Sequence, residues 1–214
     1  MESKDLIQRS TRWGGYANIV GGVLVAIAYI SHPHQETPEV ISSQYWLWTH
    51  VLFVFSLLCG VFGLIALMSH TLRNSRVSGL IGYLIAISSL ILIFGLNYYE
   101  TFINPVLATE APKFVETYGS GLTIGVVAIL FPITGGLFVI GYIMFSVNLL
   151  HTKQLGRGAP VLMIMSVLVF GAGLSGFFPM LIVQIGSLLF GLATAWLGYQ
   201  LIHVTSNKSL PVDG

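Results

Sequence analysis

One ionisable side chain, His50, lies well inside a long apolar run of this 214-residue chain. If that run crosses a membrane, Asn97 and Glu100 near the end of the third run and Gln184 near the start of the sixth lie at a similar depth. Ionisable groups are costly in lipid, so each is a candidate for function. A histidine and a carboxylate that meet at the lipid–water boundary can bind a metal, orient a water molecule or hold a polar headgroup.

These residues predict an outward-facing pocket that binds a small ligand, a lipid headgroup or an ion. The predicted binding set is His50, Asn97, Glu100, Gln184, Tyr98 and Tyr99. The alternative for His50 is an interfacial side chain that hydrogen-bonds water or a backbone carbonyl. Trp46, between Tyr45 and Trp48, is interpreted as part of an aromatic belt, because Trp and Tyr collect at membrane boundaries.

A second group of candidates, in the connection after the first run, has residue types that bind metals. His32 and His34 stand two apart with a proline between them, and Glu36 follows. Both histidines reach one ion only if the chain bends, and Glu36 or His50 would supply the third ligand. The spacing matches no standard zinc signature, so the metal set His32, His34 and Glu36 is the weaker hypothesis. No other cofactor is expected: a haem needs paired deep histidines, and His50 and His70 stand about 30 Å apart along one helix.

The segment 104–118 has apolar residues at helical spacing and charged residues on the opposite face. Pro105 and Pro112 limit it to short helical pieces, because proline lacks a backbone donor. An amphipathic segment of this kind is predicted to lie in the outer membrane interface. There it either closes over the pocket or simply covers the bundle.

Pro132 interrupts the fourth apolar run, and Gly135 and Gly136 follow it. Proline inside a helix removes one hydrogen bond and clashes with the preceding turn, which predicts a bend near the membrane middle. The bend is either a hinge at a binding notch or a feature of packing alone.

Six apolar runs must position all of these residues. The chain is 55% hydrophobic and 8% charged, whereas a soluble domain has about 25% charged residues. A membrane-spanning helix needs about 20 apolar residues. The sequence therefore predicts an all-α polytopic membrane protein, with residues 1–214 forming one domain of six transmembrane helices. The predicted spans are residues 16–31, 44–69, 77–99, 122–150, 160–178 and 179–203.

The basic residues predict the orientation of the bundle. Eight of the nine Lys and Arg residues fall in the two termini and in alternate connections. They are Lys4, Arg9, Arg12, Arg73, Arg76, Lys153, Arg157 and Lys208, and the exception is Lys113. Because positively charged connections stay on the cytoplasmic side, both termini are predicted to be cytoplasmic, in a bacterial-type inner (plasma) membrane.

A weak internal repeat indicates three stacked helical hairpins. His70 precedes Arg76 by the same spacing as His151 precedes Arg157, and His203 stands at the end of the last run. The alternative is that basic residues collect at cytoplasmic helix ends, which suits the membrane and the helix dipole. Whether the three histidines converge stays open.

Non-enzymatic ligand binding is the favoured function. The first alternative is an enzyme acting on a lipid or lipid-linked substrate, with His50 and Glu100 as base and orienting group or as metal ligands. The second is an accessory subunit of a larger membrane complex. The motifs of P-loop transporters, HExxH proteases and GxSxG hydrolases are absent. The expected partners are the lipid bilayer and either another membrane protein or a second copy; the net charge of +1 gives no reason to expect nucleic acid.

Overall fold

The computed structural model describes residues 2–119, 124–175 and 177–207, and these residues form helices joined by short connections. The helices are α1 (Glu2–Ile30), α2 (Pro38–Ile41), α3 (Gln44–Thr71), α4 (Val77–Tyr98), α5 (Asn104–Glu110), α6 (Pro112–Tyr118), α7 (Val127–Thr152), α8 (Gly158–Leu174) and α9 (Met180–Asn207). A 3-10 turn covers Leu72–Asn74, and a π-helical turn covers Tyr99–Ile103. The predicted start of the fourth span at residue 122 and the basic residue Lys208 lie outside the described residues.

Five helices are long and apolar enough to cross a membrane. They cover Leu6–Ile30, Gln44–Asn74, Val77–Glu110, Val127–Thr152 and Met180–Ser206. The remaining predicted span corresponds to α8, an apolar helix of 17 residues, at the short limit of about 17 residues for a span. It begins and ends earlier than the predicted range 160–178. The chain is therefore a multi-pass membrane protein by length and composition of its helices.

The six long helices pack in a closed ring. α1 contacts α3 and α9, α4 contacts α3 and α7, and α8 contacts α7 and α9. Neighbours run antiparallel: Gly22 of α1 meets Gly191 of α9, whereas Gln8 near the start of α1 donates to the carbonyl of Thr205 near the end of α9. Short connections between consecutive elements favour antiparallel neighbours, so this order follows from the chain itself.

The half of the ring that carries both ends of the described chain, called the terminal half, is closely packed. Leu67, Phe145, Leu149, Met163 and Leu201 are fully buried there. Small residues allow the backbones to approach: a Cβ atom on Gly198 of α9 would overlap the carbonyl oxygen of Gly15 of α1. In lipid, such close van der Waals contact replaces the hydrophobic effect as the force between helices.

Asn148 of α7 fixes the beginning of α4 in this half. Its Oδ1 accepts a hydrogen bond from the backbone N–H of Arg76 at 3.1 Å, and its Nδ2 donates to Oγ of Ser75 at 2.9 Å. Arg76 is the residue before α4 and provides no side-chain cap of its own. Gly79 makes room for the amide, because a Cβ there would overlap Asn148. The buried amide thus satisfies a backbone donor that the helix leaves open.

The opposite half, called the capped half, is covered by the short helices α2, α5 and α6. Ile41, Trp46, Ala108 and Val115 form a second small apolar core there, separate from the main one. The hydroxyl of Ser43 accepts a hydrogen bond from the backbone N–H of Trp46 and caps the start of α3. The segment 104–118 is divided into α5 and α6, each with a proline in its first turn, where proline costs no hydrogen bond.

Candidate ligand cavity

The capped half encloses a cavity of about 1010 Å³. All six long helices contribute lining residues, and these residues come from the half of each helix nearest to α2, α5 and α6. Ligand pockets in proteins have volumes of roughly 300–1,000 Å³, so this one is large enough for a lipid-sized molecule. Most of the lining is apolar; the polar side chains gather at its capped end.

Trp46 and His50, one turn apart on α3, form the centre of the polar end. Their rings stack with centroids 4.1 Å apart, and both side chains are buried. Nδ1 of His50 lies 2.9 Å from the carbonyl oxygen of Trp46. Because a carbonyl only accepts, Nδ1 carries the hydrogen, and Nε2 of the neutral ring keeps a lone pair. The backbone contact considered as an alternative for His50 is therefore present, and His50 also lines the cavity.

His32 joins this group from the connection after α1. Its ring centroid lies 5.2 Å from that of His50 and 5.6 Å from that of Trp46. Nδ1 of His32 donates to the carbonyl oxygen of Pro33 at 2.8 Å, so its Nε2 is also an acceptor in the neutral ring. Burial lowers the pKa of His32 below its ordinary value of 6.5, although the Pro33 carbonyl and the carboxylate of Glu36 oppose the shift. His32 is accordingly neutral near pH 7.

Glu100 reaches the cavity from the π-helical turn that follows α4. Its carboxylate Oε2 accepts a hydrogen bond from Nδ2 of the fully buried Asn104 at 3.1 Å. Its backbone oxygen accepts one from Nε1 of Trp46 at 2.9 Å. Pro105 lies in the first turn of the next helix and cannot donate to the turn before it, so the wider turn accommodates its ring. π-helical turns are frequent at functional sites.

The predicted pairing of the His50 and Glu100 side chains stays a prediction. Both residues line the cavity, and Trp46 connects them, since its ring stacks on His50 while its N–H donates to Glu100. Sequence analysis had interpreted Trp46 only as a belt residue. It is 1% exposed, in contrast to its neighbours Tyr45 at 54% and Trp48 at 65%. Its position one helical turn before His50 was the available signal for a shared site.

Three of the other predicted binding residues do not line the cavity. Asn97 does line it, and its Nδ2 donates within α4 to the carbonyl of Ile93 at 3.3 Å. Gln184 instead donates to the carbonyl of Tyr29 at 3.4 Å, in the contact between α9 and α1. Tyr98 is exposed and packs against Phe102, and Tyr99 is likewise outside the lining. Of the predicted binding set, the cavity lining therefore includes His50, Asn97 and Glu100.

The predicted metal set does not assemble. Across residues 2–119, 124–175 and 177–207, no three His, Cys, Asp or Glu side chains are close enough together to hold a metal ion. His34 and Glu36 are exposed, whereas His32 is partly buried beside His50. The backbone contact of His32 turns it toward the rings of α3 instead. His70, His151 and His203, in the terminal half of the bundle, likewise form no metal-binding group within the described ranges.

An aromatic layer forms the floor of the cavity, and sequence analysis did not identify it. The ring of Tyr29 lies 4.5 Å from Phe53 and 4.9 Å from Phe170. Phe190 lies 5.8 Å from Phe170 and 5.3 Å from Phe138. These rings come from α1, α3, α7, α8 and α9, so no single stretch of sequence indicates their meeting. Edge-to-face rings at such distances stabilise one another by about 0.5–1.5 kcal/mol beyond their burial.

Pro132, Gly135 and Gly136 of the predicted hinge all line the cavity. α7 continues as a helix through Pro132, and the predicted bend stays a prediction. A Cβ atom on either glycine would meet no other atom within 4 Å. The two glycines therefore widen the space beside α7 and do not bring another helix closer.

Comparison of the chain with protein-family models, curated proteins and solved structures finds no significant match. The function is therefore argued from the geometry of the cavity alone.

Proposed function

We propose that this protein is a membrane-embedded binding protein for a lipid-like molecule, whose polar head lies against His50, His32, Asn97 and Glu100 at the outward end of the cavity. The apolar part of the ligand extends over the aromatic floor. The observation that carries the proposal is the division of one large cavity into a polar end and an apolar body. Pockets of this kind bury most of a ligand against apolar side chains and orient it by a few polar groups.

The arrangement of the bundle that we propose has six spans in three antiparallel hairpins, formed by α1 with α3, α4 with α7 and α8 with α9. The extensive contacts within each of these pairs support it. Both termini are cytoplasmic in the inner membrane, because the exposed residues Arg12, Arg73 and Arg157 lie at the terminal end, while Glu39 and Glu116 lie at the capped end.

Labelling of engineered cysteines tests this orientation. In a Cys59→Ser background, Glu36→Cys and Glu110→Cys should react with an impermeant thiol reagent added outside intact cells. Arg73→Cys is the matched control and should react only after the membrane is permeabilised. Reaction of Arg73→Cys from outside, with Glu110→Cys protected, would reverse the proposed orientation.

The hydrogen bonds made by the two candidate catalytic groups favour binding over catalysis. Nδ1 of His50 is held by the Trp46 carbonyl, and Oε2 of Glu100 is held by Asn104. Each contact fixes a side chain in place, as a binding site requires, and neither contact joins the His50 ring to the Glu100 carboxylate as base and orienting group. The accessory-subunit alternative has no comparable observation in its favour.

Tryptophan fluorescence provides a direct test of binding. Trp13, Trp48 and Trp196 are exposed and only Trp46 lies at the polar end, so replacing the first three with Phe leaves a reporter of the cavity. The probe is dodecanol brominated beside its hydroxyl group, because bromine quenches indole fluorescence on contact. We expect saturable quenching that unbrominated dodecanol reverses.

Substitution of the polar end should weaken this binding. His50→Phe keeps an aromatic ring but removes the acceptor Nε2, and we expect an affinity lower by about tenfold, the value of one good hydrogen bond. His151→Phe, at an exposed position of the other end, is the matched control and should bind as the unmodified reporter does. Quenching that rises linearly with probe, without saturation or competition, would contradict the proposed function.

A further inference from the structure

We infer that the ligand is an electrically neutral lipid with a hydroxyl head group, and that it reaches the cavity sideways from the bilayer, between the capped halves of α7 and α8. This inference rests on the proposed function, since it concerns the occupant of the same cavity and the path by which that occupant arrives. Two sets of observations carry it: the exposure of the cavity wall and the charge of the polar end.

The wall of the cavity is open on one side of the ring. Pro132 and Gly136 in the capped half of α7 line the cavity and are nevertheless exposed, and Phe177 beyond α8, which also lines it, is 90% exposed. On the wall formed by α1, α3 and α9, the lining residues Val25, Phe53 and Val183 are buried. Within the described ranges, the cavity is thus accessible from the flank where α7 and α8 meet.

The opening lies on the capped side of a close contact between α7 and α8. A Cβ atom on Gly171 of α8 would lie 2.5 Å from Cγ2 of Val139, so the backbones are close at this level. Toward the capped end, the lining residues of α7 include Gly136, Gly135 and Pro132, and both glycines face open space. No atom of α8 lies within 4 Å of a Cβ at either position, so the glycines leave a gap that larger side chains would fill. An opening at this depth faces lipid, so a lipid-soluble ligand can enter through it.

The polar end has the charge of a site for a neutral head group. No Lys or Arg occurs among the described residues that line the cavity, whereas Glu36 and Glu100 do. Phosphate and carboxylate head groups bind where Arg, Lys or clustered N–H groups neutralise them, and carboxylates repel them. The site therefore disfavours anionic lipids, although these are common in membranes.

The histidines further indicate a hydroxyl group on the ligand. His32 and His50 both use Nδ1 for backbone carbonyls, so each neutral ring offers Nε2 as an acceptor. The O–H group of a ligand can donate a hydrogen bond to such a nitrogen. The side-chain amide of Asn97 lines the same cavity and can donate to the oxygen of that hydroxyl group. The cavity extends along α3 from Trp46 at the polar end to Gly60, roughly 21 Å of helix, and the part beyond His50, roughly 15 Å, can take an alkyl chain about as long as one leaflet is thick.

Two single-tryptophan reporters in lipid nanodiscs can separate arrival in the bilayer from passage into the cavity. Trp48 is exposed on the surface of α3, so a Trp48-only protein reports when the brominated dodecanol enters the bilayer. The Trp46-only protein reports when it fills the cavity. The delay between the two quenching signals measures the sideways passage.

Gly136→Phe should close the opening and lengthen this delay by about tenfold or more, and Gly136→Leu should have a smaller effect. Gly95→Phe is the matched control: Gly95 also faces open space, but it lies on α4 outside the cavity lining, and the delay should not change. An equal delay in Gly136→Phe and Gly95→Phe would overturn the sideways path while leaving the binding function intact.

Dodecanoate brominated beside its carboxylate tests the head group. At alkaline pH, where it is anionic, it should quench Trp46 with an affinity at least about tenfold lower than the alcohol does. Equal or tighter binding of the carboxylate would overturn the neutral ligand. Absence of saturable Trp46 quenching by either probe would instead overturn the proposed function itself, so the failures are distinguishable.

Discussion

Particular glycines in the two halves of the helix ring have opposite effects on packing. In the terminal half, Gly15, Gly79 and Gly198 each lie where a Cβ would overlap a neighbouring helix, and the internal cavity found there measures about 10 Å³. In the capped half, Gly135 and Gly136 face open space beside a cavity of about 1010 Å³. Glycine thus brings helices together at the first three positions and leaves space at the other two. The glycine content of a segment therefore does not distinguish close packing from a cavity.

This difference separates a closely packed part of the bundle from the part that contains the proposed binding site. Close backbone contacts over the terminal half can hold the six helices together without help from the capped half. The capped half then tolerates a large cavity beside α7. Substitutions at matched glycines should therefore have unequal effects in the two halves.

Gly198→Leu is expected to have the largest effect. Its side chain would overlap the backbone of Gly15, and backbone atoms cannot move aside as flexible side chains can. We expect a loss of about 3 kcal/mol or more in the free energy of unfolding, measured by titration with denaturing detergent. Gly135→Leu is the matched control in the capped half and should cost less than about 1 kcal/mol. Similar losses at both positions would remove the proposed distinction.

Asn148→Ala should have the next largest effect, because it removes two hydrogen bonds and leaves the N–H of Arg76 without its acceptor. We expect a loss of about 2 kcal/mol in the free energy of unfolding. Asn97→Ala in the capped half removes only a hydrogen bond within its own helix and should lower stability by less than about 1 kcal/mol. A larger loss at Asn97 would show that the capped half is the more stable one.

Trp46→Phe should have a smaller effect on stability. It keeps an aromatic ring beside His50 but removes the hydrogen bond to the backbone oxygen of Glu100. We expect the free energy of unfolding to fall by about 1 kcal/mol. Trp48→Phe, at an exposed position two residues further on, should leave it unchanged. No change at Trp46 would indicate that the link between α3 and the π-helical turn is not needed for stability.

The smallest expected effect is that of pH through His32. Burial lowers its pKa below 6.5 in the folded protein, so the unfolded chain binds the proton more readily. Stability is then unaffected above about pH 7 and falls as pH decreases below the unfolded pKa. The neighbouring titratable groups are His34, Glu36 and His50.

The free energy of unfolding measured between about pH 7 and pH 5 should decline less in His32→Gln than in the unmodified protein. His34→Gln, which alters an exposed side chain, should keep the full decline. A steeper decline in His32→Gln would mean that the histidine is stabilised in its charged form.

Sequence analysis predicted the elements better than the faces that they present. Long apolar runs predicted the helical fold, since only helices satisfy the backbone in so many consecutive apolar residues. The same analysis identified His50, Asn97 and Glu100, because polar groups at that depth are rare. It did not exclude Gln184, since a difference of one or two positions turns a helical side chain toward another neighbour.

The sequence alone did not predict contacts between segments that are distant along the chain. The aromatic floor combines Tyr29, Phe53, Phe138, Phe170 and Phe190, which are ordinary apolar residues until the ring closes. The metal set failed for a related reason: spacing along the chain gave no information on the backbone carbonyl that engages His32. Trp46 was assigned to the belt because residue type indicates depth but not burial.

The continuity of α4 with the π-helical turn and α5 sets where the polar end stands relative to the membrane. Together they form an apolar stretch of 34 residues from Val77 to Glu110, roughly 50 Å at the usual rise per residue. A hydrocarbon core of about 30 Å beginning near Val77 would end close to Asn97 if the helix stood upright. Tilting would shift that boundary toward Glu100. The length of one helix therefore brings the polar end of the cavity to the edge of the bilayer and holds α5 beyond it, so that thicker or thinner membranes would alter the hydration of this end before they altered its shape.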